Sequence, residues 1–156
     1  MGRFPVSCAL LLAACIGPLT PVGAASVLPL PVEPATRSPS QRLLEEGACP
    51  GCDLRGADLS GTHLIGVDLR GADLQEADLS EANLEGADLS GARLIRADLR
   101  GANLTNAELT DVDMRQADLS EAVVINAYAP GARTDGIRYA GADLSGSHLI
   151  YGGGDD

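Results

Sequence analysis

The sequence predicts an all-β solenoid, and three observations carry that reading. From Cys52 onward the chain repeats every five residues, as in Ala57-Asp58-Leu59-Ser60-Gly61 and Ala87-Asp88-Leu89-Ser90-Gly91. Twenty centres spaced five apart run from Leu54 to Leu149; 15 are Leu, and the residue two before is Ala in 14. The residue two after the centre is Gly in 11 units. Five steps of about 100° on a helix turn each centre about 140° off its predecessor's face, and an odd step on a straight strand reverses the face. The chain must therefore corner once per unit. Within a unit the Ala and the Leu share the inner side, the residue between them points out, and the Gly suits a turn position with positive φ. A chain that corners regularly and keeps its apolar groups inside is a solenoid.

Composition agrees. One Phe, no Trp and 3% aromatic residues exclude an ordinary aromatic core, while 45% hydrophobic residues are too many for disorder. Buried area must come from Leu and Ala. The 22 Asp and Glu against 11 basic residues, all of them Arg, give a formal net charge of −11. That balance argues against a nucleic-acid partner, since phosphate contacts need clustered Lys and Arg.

The elements follow in chain order. Arg3 is the one charge before Glu33, Phe4 to Ile16 form an apolar run interrupted by Pro5, and Gly17-Pro18 would end any helix. Small residues at Val22-Gly23-Ala24-Ala25 suit cleavage after Ala24 or Ala25, so residues 1–25 read as a secretory signal peptide. About 13 apolar residues fall short of the ~20 that span a bilayer, so no membrane span is expected. Leu12-Ala13-Ala14-Cys15 offers an alternative, a lipobox with Cys15 lipidated as an anchor. Pro29, Pro31 and Pro34 mark residues 26–37 as an extended linker. Ser38, Pro39 and Gln41 then supply an N-cap, a first-turn Pro and a capping-box partner for a helix from Pro39 to Glu46, stopped by Gly47. Two turns are marginal alone, so Leu43 and Leu44 are expected to pack on the end of the solenoid. Residues 38–51 thus form a helical cap with a turn, 52–151 the repeat, and 152–156 an acidic tail.

In Cys49-Pro50-Gly51-Cys52, Pro-Gly at the centre of a turn brings the outer Cα atoms within about 7 Å, which suits a disulfide. An exported chain favours that bond, with free thiols as the alternative. A thioredoxin-like redox site would need a βαβ context that is lacking, and zinc would need more than two Cys and two distant His. No cofactor or metal is expected.

The pattern Ala-(Asp/Asn)-Leu-x-x over residues 52–151 resembles the pentapeptide repeat family. The resemblance implies a right-handed quadrilateral β-helix with four pentapeptides per coil, hence about five coils and a tower about 24 Å tall at the ~4.8 Å strand spacing. The stretch from Gln41 to Leu54 resembles the cap and first coil of exported, cyanobacterial-type members. Those occupy the periplasm or thylakoid lumen and have no assigned reaction, so the expected location is one of these or the extracellular space.

If every fourth unit shares a face, Asp58, Asp78, Asp98, Asp118 and Arg138 stack in one column, and Asp68, Asp88, Glu108, Tyr128 and His148 in another. Carboxylates ~4.8 Å apart repel by roughly 1 kcal/mol even in a water-like dielectric. The ladder therefore needs solvation, relief by Arg70, Arg93, Arg96, Arg100 or Arg115, or a use. It reads as a solubilising face or as a docking surface for a basic protein; weak calcium binding lacks the side-chain pattern of a calcium loop. His63 and His148 have no neighbouring nucleophile motif and read as surface residues in place of Asp. The pattern weakens over Val123–Ala140, where the centres are Val124, Ala129, Thr134 and Tyr139 and the outward residues are Tyr128, Arg133 and Arg138. Phase alone allows an irregular coil or a protruding loop there, and a partner-binding patch.

With no nucleophile, metal cluster or phosphate loop, the expected function is non-enzymatic: an exported binding or scaffold module for an unidentified protein partner. The resemblance also brings an alternative, a DNA mimic that inhibits a DNA-binding enzyme such as gyrase, dimeric through a C-terminal coil that would include Leu149 and Ile150. The export signal argues against it, because gyrase is cytoplasmic.

Overall fold

The structure, a computed structural model, describes residues 37–149. The predicted signal peptide with Cys15, the predicted linker before Arg37, and Ile150 with the acidic tail lie outside the described residues.

Helix α1 (Pro39–Glu46) forms where its caps predict. Ser38 Oγ accepts from the Gln41 N–H and Gln41 Oε1 accepts from the Ser38 N–H, both at 3.1 Å. Gly47 closes the helix at φ 66°, donating its N–H to the Leu43 carbonyl at 2.9 Å. Successive helical residues point about 100° apart, so two adjacent Leu cannot both face one core. Leu43 is fully buried in the core, whereas Leu44 is 53% exposed, contrary to the expectation that both pack inward.

Past α1 the chain winds in register with itself. Each outward position forms a parallel bridge with the residue twenty further on, from Ala48 with Asp68 through Asp58 with Asp78 to Val123 with Asp143. Twenty residues are four pentapeptides per turn, the register that stacks Asp58, Asp78, Asp98, Asp118 and Arg138. The ladder begins four residues before Cys52, so Cys49 sits at a centre position below Leu69, inside the stretch the sequence assigned to the cap.

Four backbone bonds build each unit. The centre N–H donates to the next coil (Leu59 to the Asp78 carbonyl, 2.8 Å), and the outward residue's N–H donates to the previous one (Asp78 to the Ala57 carbonyl, 2.9 Å). The third closes the corner, as in the Ala57 N–H to the Leu54 carbonyl at 3.1 Å, and the fourth runs from the corner residue to the next coil, as from the Gly56 N–H to the Gln75 carbonyl at 2.9 Å. In that four-residue turn Gly56 is the third residue, with φ 61°, as a turn with positive φ there requires. Eight units place another residue at this point, among them Glu76, Glu81, Arg96 and Asn126, with φ between 54° and 62°. Left-handed backbone costs such a residue about 1–2 kcal/mol. It persists here because the ladder bonds on both sides over-determine the corner.

The interior is two kinds of column. Leu54 through Leu109, Met114, Leu119 and Val124 occupy the centres, Ala72 through Ala132 most of the inner small positions, and nearly all are fully buried. The weak stretch is a coil and not a protruding loop: Tyr128, Arg133 and Arg138 bridge to Glu108, Asp113 and Asp118. Its small centres Val124, Ala129 and Thr134 are buried. Only Tyr139 departs, 57% exposed at a centre position.

Candidate functional site: the outward columns

The outward residue of each unit has a local structural task. In twelve units its Asp or Asn Oδ1 accepts the N–H two residues later, as from Ser60 to Asp58 (3.1 Å) and from Thr105 to Asn103 (3.1 Å). That N–H takes no part in the backbone ladder, so the side chain satisfies a donor the fold leaves over. The residue two later is Pro50 after Ala48 and Pro130 after Tyr128, units with no such acceptor, and Pro removes the donor itself. Replacing Asp88 with Asn, which keeps the acceptor, is expected to change stability by less than about 0.5 kcal/mol. Asp88→Ala leaves the Ser90 N–H and hydroxyl without their partner and should cost about 1 kcal/mol. Urea unfolding midpoints of the two variants measure the difference.

Charge is distributed unevenly around the tower. The face of Asp53, Asp73, Arg93, Asp113 and Arg133, with the corner after it, holds five acids and five Arg. Most are paired: Arg55 with Asp53 at 2.6 Å, Arg93 with Asp73 at 3.1 Å, Arg96 with Glu76 at 3.2 Å and Arg115 with Asp113 at 2.8 Å. The next face, of Asp58, Asp78, Asp98 and Asp118, holds six acids with its corner against Arg100 and Arg138. Here Ser60, Ser80 and Ser120 hydroxyls donate to Asp58, Asp78 and Asp118 at 2.6–2.7 Å, and Arg100 grips Asp98 at 2.6 Å. Arg138 reaches Asp118 at 3.3 Å. The following face, of His63, Asn83, Asn103, Val123 and Asp143, has Glu85 and Asp143 and no Arg. Asn103 Nδ2 there donates to Asn83 Oδ1 at 3.1 Å.

These donors explain how a carboxylate column survives its own repulsion. The Ser60 hydroxyl and N–H lower the Asp58 pKa, Ser120 does the same at Asp118, and Arg100 at Asp98. Arg55 and Arg70 hold Asp53 and Asp68 at about 2. A carboxyl with a lower pKa folded than unfolded stabilises above the unfolded value, near 3.9, and loses that contribution as pH falls through the folded value. Thermal stability should therefore be flat from pH 7 to about 5 and decline between about pH 4 and 2. Melting temperatures in that window test it, and a Asp53→Asn/Asp68→Asn variant should show a shallower decline.

The structure separates the predicted contact residues. Asp58, Asp78, Asp98, Asp118 and Arg138 form one column, but Tyr128, Arg133 and Arg138 fall on three different faces, because successive units turn a corner. They make no common patch. Tyr128 instead meets His148 edge-on, ring centroids 5.2 Å apart, in the column the sequence assigned to both. His63 and His148 are exposed. Cys49 and Cys52 are disulfide-bonded with Cα atoms 5.4 Å apart, inside the usual span. Among the described residues no group of three His, Cys, Asp or Glu is placed to hold a metal ion, and no helix is long and apolar enough to cross a membrane. Sequence reading missed the Arg42 contact to Cys52, which depends on how α1 docks.

Comparison with known proteins agrees with this geometry. The family model described as pentapeptide repeats matches residues 52–91 and 87–124, in eight copies. A pentapeptide repeat protein of the Arabidopsis thaliana thylakoid lumen is 32% identical over 70% of each chain, with a TM-score of 0.52. A Nostoc PCC 7120 pentapeptide repeat protein is 32% identical, covering 63% of this chain and 90% of its own, at TM-score 0.57. The chain belongs to the pentapeptide repeat family. This pentapeptide repeat protein is also similar to HetL of Nostoc sp. strain PCC 7120, described as involved in heterocyst differentiation regulation. That match has 36% identity and a TM-score of 0.63 over 68% of this chain, which spans only half of HetL. No curated protein sequence matches the chain. Pentapeptide repeat proteins are right-handed quadrilateral β-helices, generally structural or regulatory and not catalytic.

Proposed function

We propose that this pentapeptide repeat protein is an exported, non-enzymatic binding module that docks a basic protein surface on the face of Asp58, Asp78, Asp98 and Asp118. In this reading the tower has about five coils, α1 covers its N-terminal end, and residues 1–25 are removed on export. The supporting observation is the contrast between neighbouring faces. One face neutralises its own acids with five Arg, while the next keeps six acids against two Arg and fixes its four Asp by N–H donors and three of these also by Ser hydroxyls. Carboxylates fixed in this way lose little rotamer entropy on binding, and an ionised column steers a cationic partner. The thylakoid-lumen location of one relative and the regulatory description of another support an exported regulatory role. The DNA-mimic alternative is weaker, since a duplex mimic needs continuous negative charge and the face of Asp53 is neutral.

The test exploits the structural task of Asp. Changing Asp58, Asp78, Asp98 and Asp118 together to Asn keeps each Oδ1 acceptor and removes four charges. An exported partner captured by the wild-type chain should be lost at least tenfold by this variant. A control with Asp68, Asp88 and Asp111 changed to Asn and Glu108 to Gln, on another face, should retain it. Equal capture by both variants refutes the acidic face. Export is read separately by fractionation and N-terminal sequencing, where a cytoplasmic chain with Met1 intact refutes it.

A further inference from the structure

The Cys49–Cys52 pair has surroundings that a structural staple does not require. Cys49 is wholly covered and Cys52 retains 8% exposure. The Arg42 guanidinium of α1 lies 3.0 Å from Cys52 Sγ. Cys49 Sγ lies 3.6 Å from the Pro39 carbonyl oxygen, within reach for a thiol donor. Each sulfur of the opened pair thus has a suitable partner in place: a cation for a Cys52 thiolate and an acceptor for a Cys49 S–H.

The backbone around the pair is also held without the S–S bond. Cys49 N–H donates to the Asp68 carbonyl at 2.7 Å and Gly51 N–H to the Arg70 carbonyl at 2.8 Å. Asp73 N–H donates to the Cys52 carbonyl at 2.8 Å, and the Cys52 N–H closes the turn on the Cys49 carbonyl at 3.2 Å. Leu43 anchors α1 in the core independently. None of these contacts runs through the S–S bond. The other charges of α1 and of the first units are engaged elsewhere: Arg37 with Glu45 and Glu46, Arg55 with Asp53, and Arg93 with Asp73. Arg42 has no carboxylate partner among the described residues, and its contact there is Cys52.

From this geometry we infer that Cys49–Cys52 is a dithiol–disulfide exchange site that oxidises a dithiol while the solenoid stays folded. The donor's thiolate attacks Cys52 Sγ, the sulfur of the less covered of the two residues. The S–S bond breaks, Cys49 leaves with the electron pair, takes a proton and donates it toward the Pro39 carbonyl. The donor is now joined to Cys52 in a mixed disulfide. Its second thiol, after losing a proton, attacks its own sulfur in that bond, the donor's disulfide closes, and Cys52 leaves as a thiolate beside Arg42. The donor dithiol loses two electrons, the cysteine pair gains them as one thiol and one thiolate, and one proton is released. The inference is independent of the acidic face.

The experiment uses the full chain, purified oxidised, with dithiothreitol as the donor and iodoacetamide to trap thiols for mass spectrometry. Both cysteines should become trappable with the circular dichroism of the solenoid unchanged, and Cys52 should be alkylated first. Its alkylation should have a midpoint below the ordinary thiol value near 8.5. Arg42→Gln should raise the midpoint by about one unit, roughly a tenfold slower alkylation at pH 6, and Arg42→Lys should restore most of it. In Cys49→Ser, Cys52 should accumulate as the mixed disulfide with oxidised glutathione. A pair that opens only where the dichroism is lost is a structural staple and overturns the inference. So does alkylation of Cys49 first, or a pH midpoint that Arg42→Gln leaves unmoved.

Discussion

Leu99→Ala is expected to destabilise the protein by about 2–5 kcal/mol, the range for a fully buried Leu whose cavity cannot collapse. Leu99 is wholly buried, and its coil is tied to the neighbouring ones on both sides. Its own N–H donates to the Asp118 carbonyl at 2.8 Å, and the adjacent Asp98 N–H donates to the Ala77 carbonyl at 3.0 Å. Those bonds hold the backbone at a fixed height, so neighbours cannot close on the void and the full transfer and cavity terms remain. Leu44→Ala is the control, because that side chain is 53% exposed on α1, and should change stability by under about 0.5 kcal/mol. Chemical unfolding of both variants decides it. A loss at Leu99 below about 1 kcal/mol would mean that coils can slide together, contrary to a rigid ladder.

The second large effect has the opposite cause. Ala102→Leu places three extra carbons in a column where Ala82, Ala102 and Ala122 are all fully buried one above another. Overpacking of a fixed interior costs about 1–3 kcal/mol, and here the closed coil cannot widen without stretching its corner turns. Ala57→Leu, at a half-buried position in an early coil, should be tolerated within about 1 kcal/mol. Thermal denaturation of the pair distinguishes the two sites. Equal melting temperatures would show that the small residue at this position is a matter of turn preference and not of space.

Several features were legible in the chain itself. Ser38, Pro39, Gln41 and Gly47 place both ends of α1, because caps act through bonds between residues three or four apart. The columns of Asp58, Asp78, Asp98 and Asp118 followed from counting once the resemblance to the pentapeptide repeat family supplied four units per coil, and bridges between residues twenty apart bear them out. The structural task of Asp was written in the same letters and overlooked. Pro50 and Pro130 stand only where the outward residue is neither Asp nor Asn, which marks the N–H two residues later as the group being satisfied.

Other outcomes depended on neighbours far along the chain. Whether Leu43 or Leu44 turns inward is set by the roll of α1 on the coil it meets, a rigid-body choice that two adjacent apolar residues do not encode. Tyr139 lies at a centre position yet outside the core, beside Ile137 and Leu144, which are themselves only partly buried. The five-residue period by itself determined the solenoid and its inner and outer residues. Their physical basis is local: turn geometry and the alternation of side chains along extended backbone. Tertiary structure alone decided which acids meet an Arg of the neighbouring coil, as Asp73 meets Arg93 and Asp118 meets Arg138, and that Arg42 meets Cys52. Those contacts join residues ten or twenty apart in sequence through the height of a coil and the docking of a helix, distances that no local rule contains.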